Sequence, residues 1–311
     1  MKIHNIIATI GLAALSFAAA HGQDAPTLGP SKGNLLIVGG GRMGPELWAK
    51  FIELAGGVDN ANIVVVPTAG EKVPDDGQVP RTGTPAALTK LGVKHVTVLH
   101  TTDRKVADSE EFVAPIKTAT AVWFDGGRQW HIADSYLGTR TEKEFDAVLE
   151  RGGVIGGSSA GATIQGEYLW RGDTSGPDKV EGDHTVGFAF LKHSAIDQHI
   201  LVRNREFDLI PFIQKHPELL GIGINESTAI VVHGNEFQVI GASFVAITDA
   251  KKWEPGATTP NDAAHKGKIY FLGSGQRYDL AKREIIPARP RAGAPADAAP
   301  PAGNGDDSDP R

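Results

Sequence analysis

The chain has 311 residues, of which 41% are hydrophobic and 22% charged, with a formal net charge of -6 and no cysteine. This composition is typical of a globular protein with a full hydrophobic core. The lack of cysteine excludes disulfides, thiol catalysis and a cysteine lipid anchor. Mild acidity without a basic block argues against nucleic acid as a partner.

The N-terminus has the pattern of a secretory signal peptide. Lys2 supplies a positive charge, residues 6–20 (IIATIGLAALSFAAA) form an apolar stretch, and small residues follow it. An N-terminal membrane anchor is the alternative, but the apolar run is short for a membrane span. We expect a signal peptide over residues 1–22, export to the periplasm or beyond, and no membrane attachment after cleavage. Residues 23–32 form a polar lead-in.

Short apolar runs alternate with helical stretches from residue 33 to residue 157. The runs lack polar alternation, which is typical of strands buried on both faces, and their alternation with helices predicts a parallel sheet. The predicted strands are NLLIVG, ANIVVVPTAG, KHVTVLH, TAVWFDGG and GGVIGG, and the helices between them are PELWAKFIELAGG, TPAALTKLG, EEFVAPIKTA and EKEFDAVLERG. The predicted fold class is α/β, three layers around a mostly parallel central sheet.

The pattern changes after Gly166. A polar, turn-rich stretch (EYLWRGDTSGPDKVEGDHT) predicts a long loop, and RNREFDLIPFIQKHPELLG predicts a helix broken at Pro211. Further strands are predicted in GIGINESTAIVVHGNEFQVIG, SFVAITD, KIYFLGSG and RYDL. We expect a single catalytic domain over residues 33–286. Residues 287–311, rich in Pro, Ala and Asp, predict a disordered tail.

The glycine motif GGGRMG, residues 39–44, fits the dinucleotide fingerprint G-x-G-x-x-G after a strand and before a helix. The next strand, however, ends in PTAG and offers no acid for a ribose hydroxyl. We therefore interpret the motif as a glycine loop that lets the first turn pass near the carboxyl edge of the sheet.

A second glycine motif, GSSAG at residues 157–161, centres on Ser159. It follows the strand GGVIG and precedes the predicted helix AGATIQGEYL, the context of a nucleophile elbow. The alternative is a plain turn, and Ser158 is the weaker nucleophile because the flanking glycines do not centre on it. A serine nucleophile needs a base. Position alone does not choose among the downstream histidines, which are His184, His193, His199, His216, His233 and His265.

Four segments in order, FDGGRQ, GGSSAGA, AIDQHILVRNR and GIGINESTAIVV, resemble the S51 serine peptidases, especially the cyanophycinase-like branch. The resemblance extends over roughly residues 33 to 250. It implies a class I glutamine amidotransferase-like (flavodoxin-like) fold with extra strands toward the C-terminus, a serine nucleophile and, in many members, a homodimer. It implies neither a metal nor an organic cofactor.

The resemblance also implies roles for individual residues. Ser159 falls on the nucleophile, His199 on the general base and Glu226 on the acid that orients it. Ala160 and Gly127 are the implied backbone donors of the oxyanion hole. Without the resemblance, His199 reads as a structural histidine and Glu226 as a surface acid.

Substrate-binding positions implied by the resemblance are Gln129, Asp197, Gln198, Arg203 and Arg205. The two arginines would hold a carboxylate and Asp197 a cation, whereas a solvated helix face is the alternative for the arginines. The implied substrate is a peptide or polymer rich in Asp and Arg, namely cyanophycin or β-aspartyl peptides. The alternatives are a dipeptidase acting after N-terminal aspartate and an inactive secreted binding protein of the same fold.

Three positions depart from the family pattern. Asp208 stands where the pattern has an arginine, Ile200 where it has an aromatic residue, and Arg128 where an acid is usual. Charge reversal at Asp208 and Arg128 is expected to alter which substrate fits.

A zinc site is the remaining alternative, because His184, His193 and His199 lie near Asp183 and Asp197 in sequence. The spacing matches no compact zinc motif such as H-E-x-x-H, so we expect no metal at these residues.

Overall fold

The computed structural model describes residues 27–70, 79–252 and 269–288. The predicted signal peptide (1–22) and almost all of the predicted tail (287–311) lie outside these residues. Within the described ranges, no helix is long and apolar enough to span a membrane.

The larger sheet has nine strands in the described part of the chain, in the order β14-β13-β10-β9-β1-β5-β4-β2-β3. Strands β1, β5, β4, β2 and β3 are parallel, and the others add antiparallel strands beyond β1. Their bounds are β1 (Asn34–Val38), β2 (Asn62–Val66), β3 (His95–Val98), β4 (Ala121–Phe124), β5 (Val154–Ser158), β9 (Thr228–His233), β10 (Glu236–Gly241), β13 (Arg277–Asp279) and β14 (Glu284–Ile286).

Eight helices connect or follow the strands of the described ranges. They are α1 (Pro45–Leu54), α2 (Thr84–Lys90), α3 (Arg104–Ala107), α4 (Glu110–Thr118), α5 (Gln129–Tyr136), α6 (Arg140–Glu150), α7 (Ala160–Thr163) and α8 (Leu209–Lys215). Alternate residues of β1 enter different cores, because successive side chains of a strand point to opposite faces. Leu36 packs with residues of α1 on one face, while Leu35 packs with residues of α4 to α6 on the other.

A second sheet, with five strands among the described residues, packs with the core that contains Leu35, and its strand order is β12-β11-β8-β7-β6. Its bounds are β6 (Gly166–Tyr168), β7 (Leu191–Gln198), β8 (Leu220–Ile224), β11 (Phe244–Thr248) and β12 (Ile269–Gly273). Strands β7 and β8 are parallel, so their carboxyl ends lie at the same edge. That edge carries the residues that follow Gln198 and Ile224.

The predicted fold class, α/β with a mostly parallel central sheet and extra C-terminal strands, is confirmed. Local boundaries differ from the predictions in two places. The helix after Ser159 ends at Thr163, because residues 166–168 pair with β7 instead of continuing the helix. Pro211 does not break a helix, because α8 begins at Leu209 and Pro211 lies in its first turn. Backbone N–H groups of the first turn have no acceptor within the helix, so the missing N–H of a proline costs no hydrogen bond there.

We expect Phe51→Ala to lower the free energy of unfolding by about 3–5 kcal/mol, the usual cost of emptying a buried phenylalanine site. Phe51 is fully buried in α1, and its ring centroid lies 4.9 Å from that of Trp123 in β4. Urea unfolding followed by tryptophan fluorescence measures the change. Phe207→Ala, at a side chain 47% exposed, is the control, with an expected change within about 0.5 kcal/mol. Equal losses in the two variants would contradict the assignment of Phe51 to the core.

Candidate active site

Ser159 occupies a sharp turn between β5 and α7. Its backbone angles are φ 57° and ψ -113°, a strained conformation for a residue with a side chain. The turn is tight because two glycines allow it. A methyl group on Gly157 would lie 2.2 Å from Gly161 O, and one on Gly161 would lie 2.1 Å from Phe124 O. This is the strand, turn and helix arrangement of a nucleophile elbow, not of a flexible turn.

The hydroxyl of Ser159 meets an imidazole that is itself held by a carboxylate. His199 Nε2 lies 2.8 Å from Ser159 Oγ, and His199 Nδ1 lies 2.6 Å from Glu226 Oε1. His199 directly follows β7, and Glu226 lies in the turn between β8 and β9. The three side chains therefore come from the carboxyl ends of strands in both sheets. The structure brings them into one hydrogen-bonded chain, while their catalytic roles stay predictions.

The surroundings of His199 favour its neutral form. Burial lowers the pKa of the imidazole, Arg203 and Arg205 lower it further, and the hydrogen bond to Glu226 acts in the opposite direction. The net shift is downward from the ordinary value of 6.5. A neutral imidazole accepts a proton from a serine, which is the state that a general base requires.

The predicted oxyanion donors lie on either side of Ser159. Ala160 opens α7, where a backbone N–H has no acceptor within the helix. On the other side, a methyl group on Gly126 would lie 3.2 Å from Ser159 Cβ, and one on Gly127 only 1.8 Å from Ala69 O. Within the described residues, neither Gly126 nor Gly127 donates its N–H to a hydrogen bond. Gly127 stays the predicted second donor, and Gly126, which lies against Ser159, is a further candidate.

Gln129 and Arg128 bind protein backbone in this structure. Gln129 is buried, and its Nε2 donates to the carbonyls of Trp170 (2.7 Å) and Arg171 (2.9 Å). Arg128 Nη2 donates to the carbonyl of Asp173 (2.6 Å). The predicted substrate contact of Gln129 is therefore not available to its amide nitrogen. Both side chains instead fix the segment that follows α7 and β6.

Asp197 has a counter-ion within the protein, and its predicted contact with a substrate cation stays a prediction. Its side chain is fully buried and accepts two hydrogen bonds from Arg171, Nε to Oδ1 at 3.0 Å and Nη2 to Oδ2 at 2.9 Å. The same Arg171 Nη2 also donates to Asp208 Oδ2 (2.5 Å). A buried carboxylate in this forked pairing already has its counter-ion.

Arg171 is the residue that sequence reasoning missed. One signal pointed to it, since an acid inside an apolar strand such as AIDQ needs a buried cation. The sequence did not say which arginine supplies that cation, because Arg171 lies 26 positions before Asp197 in a stretch predicted as a polar loop.

The other predicted substrate residues divide into buried and exposed groups. Arg205 is buried, and its Nη1 lies 3.4 Å from Oε1 of the buried Gln198. Arg203 is exposed and raises the positive potential at His199. Neither arginine has a carboxylate partner among the ion pairs of the described residues. Ile200, the aromatic position of the family pattern, is fully buried and packs toward Gly223.

The residues of the zinc alternative do not assemble. His184 lies between Asp183 (2.7 Å) and Asp134 (2.9 Å), His193 is exposed, and His199 belongs to the chain with Ser159. In the residues that the structure describes, no group of three or more His, Asp or Glu side chains is arranged to hold a metal.

A doubly covered α/β sheet with a serine elbow, an adjacent imidazole and a carboxylate defines the class of serine hydrolases. Comparison with known sequences gives the family. A sequence model of peptidase family S51 matches residues 35–240, so the chain belongs to that family and is a serine-type peptidase.

Two curated relatives are similar over most of their length. The chain is 29% identical to a cyanophycinase of Geminocystis herdmanii, covering 80% of this chain and 94% of the relative. It is 31% identical to a cyanophycinase of Synechococcus elongatus, covering 82% of this chain and 81% of the relative. Among solved structures, a peptidase from an acI-B1 Actinobacterium shares the fold, with a TM-score of 0.58, 24% identity, and coverage of 81% of this chain and 98% of that one.

We expect Asp197→Asn to lower the free energy of unfolding by about 3 kcal/mol, because it removes one carboxylate from a buried ion pair. Chemical denaturation measures the loss, and the KM for an arginine-containing substrate is measured alongside it. Asp178→Asn is the control, since Asp178 is exposed and lies in the stretch between β6 and β7 that carries Arg171. An unchanged stability together with a raised KM would restore the direct role of Asp197 in binding substrate.

Proposed function

We propose that this peptidase opens aspartyl amide bonds through an acyl-enzyme on Ser159, and that its substrate is cyanophycin or a β-aspartyl peptide. The observation that carries the chemistry is the hydrogen-bonded chain from Ser159 Oγ through the His199 ring to Glu226 Oε1. The substrate class is supported by the relatives named cyanophycinase and by two arginines whose positive charges act on His199.

The first half of the reaction forms an ester. Ser159 Oγ attacks the carbonyl carbon of the scissile amide while His199 Nε2 takes the hydroxyl proton. Glu226 accepts the Nδ1 hydrogen bond, which fixes the tautomer and stabilises the imidazolium. The N–H of Ala160, with that of Gly127 or Gly126, stabilises the oxyanion. His199 then gives its proton to the leaving amine, the C–N bond breaks, and the acyl group stays on Ser159.

The second half returns the enzyme to its starting state. His199 takes a proton from a water molecule, and the resulting hydroxide attacks the ester carbon. The C–O bond to Ser159 breaks, His199 returns the proton to Oγ, and the product leaves as a carboxylic acid. Every proton and electron pair is accounted for by the serine, the histidine and water.

The charges around the serine favour a substrate that carries a carboxylate. Arg171 is neutralised by Asp197 and Asp208, whereas Arg203 and Arg205 are outside the ion pairs of the described residues. A guanidinium holds a carboxylate through forked hydrogen bonds. We assign the free carboxylate of an aspartyl residue to these two arginines, since it is the anionic group nearest to a β-linked scissile bond.

Export is the second part of the proposal. The positively charged start, apolar stretch and small residues of positions 1–22 support a signal peptide. The expected homodimer is likewise a proposal, made from the family resemblance alone.

We expect the mature protein to release β-Asp-Arg from cyanophycin, and Ser159→Ala to reduce that rate by about 10⁴-fold or more, as loss of a nucleophile does. Product analysis by mass spectrometry after incubation with cyanophycin, β-Asp-Arg, β-Asp-Leu and α-Asp-Leu measures both. Ser158→Ala is the matched control, since the neighbouring hydroxyl is outside the hydrogen-bonded chain.

Two outcomes would change the proposal. Cleavage of α-Asp-Leu alone would make the protein an Asp-X dipeptidase. No cleavage of any substrate, with no labelling of Ser159 by a fluorophosphonate probe, would make it a binding protein that kept the fold.

The pH dependence of kcat/KM tests the assignment of His199 as the base. The base must be neutral, so activity is lost as pH falls through its pKa, and the downward shift places the midpoint below 6.5. Arg203→Gln removes a positive charge that lowers this pKa, so the midpoint should move to higher pH. Lys90→Gln, at the exposed end of α2, is the charge-matched control and should leave it unchanged. A wild-type midpoint above 6.5 would contradict the assignment.

A further inference from the structure

The turn that follows β1 contacts each part of the candidate active site through its backbone. Ser159 N donates to the carbonyl of Val38 (3.1 Å), and His199 N donates to the carbonyl of Gly39 (2.8 Å). Ser227 N, directly after Glu226, donates to the carbonyl of Gly40 (3.0 Å). Three successive carbonyls therefore accept from the three chain segments that carry the serine, the histidine and the acid.

The same turn is in contact with the side chains. A methyl group on Gly40 would lie 2.1 Å from Cε1 of the His199 ring, and one on Gly41 would lie 2.5 Å from Glu226 Oε2. Gly40 has φ 108° and Gly41 φ 70°, conformations that glycine adopts without strain. The glycines are thus required both by the backbone path and by the space that the imidazole and the carboxylate occupy.

We propose that Gly39, Gly40 and Gly41 are positioning residues of the peptidase, which align His199 and Glu226 with Ser159 through the carbonyls of residues 38–40 and the bare Cα atoms of Gly40 and Gly41. This inference rests on the proposed roles of Ser159, His199 and Glu226. It also gives the glycine motif GGGRMG a purpose other than nucleotide binding.

The backbone angles explain why hydrogen bonds to this turn matter for the positions of the site residues. Ser159 (φ 57°), His199 (φ 57°) and Ser227 (φ 54°) all have left-handed backbones, which cost about 1–3 kcal/mol each in residues with side chains. Each donates its N–H to one of the carbonyls of residues 38–40, so these three carbonyls hold the strained residues in place. A shift of the turn moves the histidine and the acid relative to the serine.

Gly40→Ala tests the proposal against Gly44→Ala. A methyl group on Gly44 meets nothing within 4 Å, and Gly44 has an extended backbone at φ -70°, so this variant is the matched control. We expect Gly40→Ala to lower kcat about 100-fold, the effect of a misplacement near 1 Å. We expect KM to change less than about threefold, because the arginines are untouched. Gly44→Ala should retain wild-type values.

A second variant keeps the test valid if Gly40→Ala does not fold. Gly41→Ala displaces Glu226, whose hydrogen bond raises the pKa of His199. The midpoint of the acid limb of kcat/KM should therefore move to lower pH, and the downfield NMR signal of the proton between His199 Nδ1 and Glu226 should shift or vanish. A glycine that only supports the fold would lower stability without moving either readout.

The outcomes separate this inference from the proposed function. Wild-type kcat in Gly40→Ala, or an unmoved pH limb and proton signal in Gly41→Ala, overturns the positioning role alone. Full activity in Ser159→Ala overturns the proposed function, and the positioning role with it.

Discussion

Three left-handed residues at the ends of strands are the constraint on which the site depends. Ser159 and His199 directly follow β5 and β7, Ser227 directly precedes β9, and all three have a positive φ. Two sheets are needed for this, because Ser159 follows a strand of the larger sheet and His199 a strand of the smaller one. Burial of both sheets against one core fixes the distance between the two edges.

The parallel strands of the fold could be predicted because the apolar pattern that indicates each strand lies within a few consecutive residues. Runs such as LLIV and IVVV, which follow the first residue of β1 and of β2, are apolar at every position, and a strand buried on both faces is the arrangement that accommodates them. The elbow was readable for the same reason, since strand, serine and glycines lie within a few residues. Neither inference required knowledge of a distant part of the chain.

The histidine and the acid could not be chosen from the residues alone. His199 and Glu226 lie 40 and 67 positions after Ser159, and they follow strands of the smaller sheet whereas Ser159 follows a strand of the larger one. Six histidines follow the serine, and nothing in the local sequence of the five besides His199 excludes them as the general base. Only the resemblance to the S51 family selected the pair. A sequence resemblance identifies matching positions, but it does not show which side chains are in contact.

The same lack of contact information explains why the pairing of Asp197 with Arg171 was not predicted. Its sequence position matches a pocket residue, yet burial and a forked pairing with Arg171 give it a counter-ion within the protein. The second carboxylate on Arg171 is Asp208, one of the departures from the family pattern, and a second departure, Arg128, holds the carbonyl of Asp173 in the same segment. Two charge reversals therefore contact one stretch of chain, residues 171–173. Since Arg128 directly follows the glycines beside Ser159, the position of that stretch is coupled to the oxyanion side of the site. Asp208 and Arg128 are therefore both engaged in hydrogen bonds within the protein.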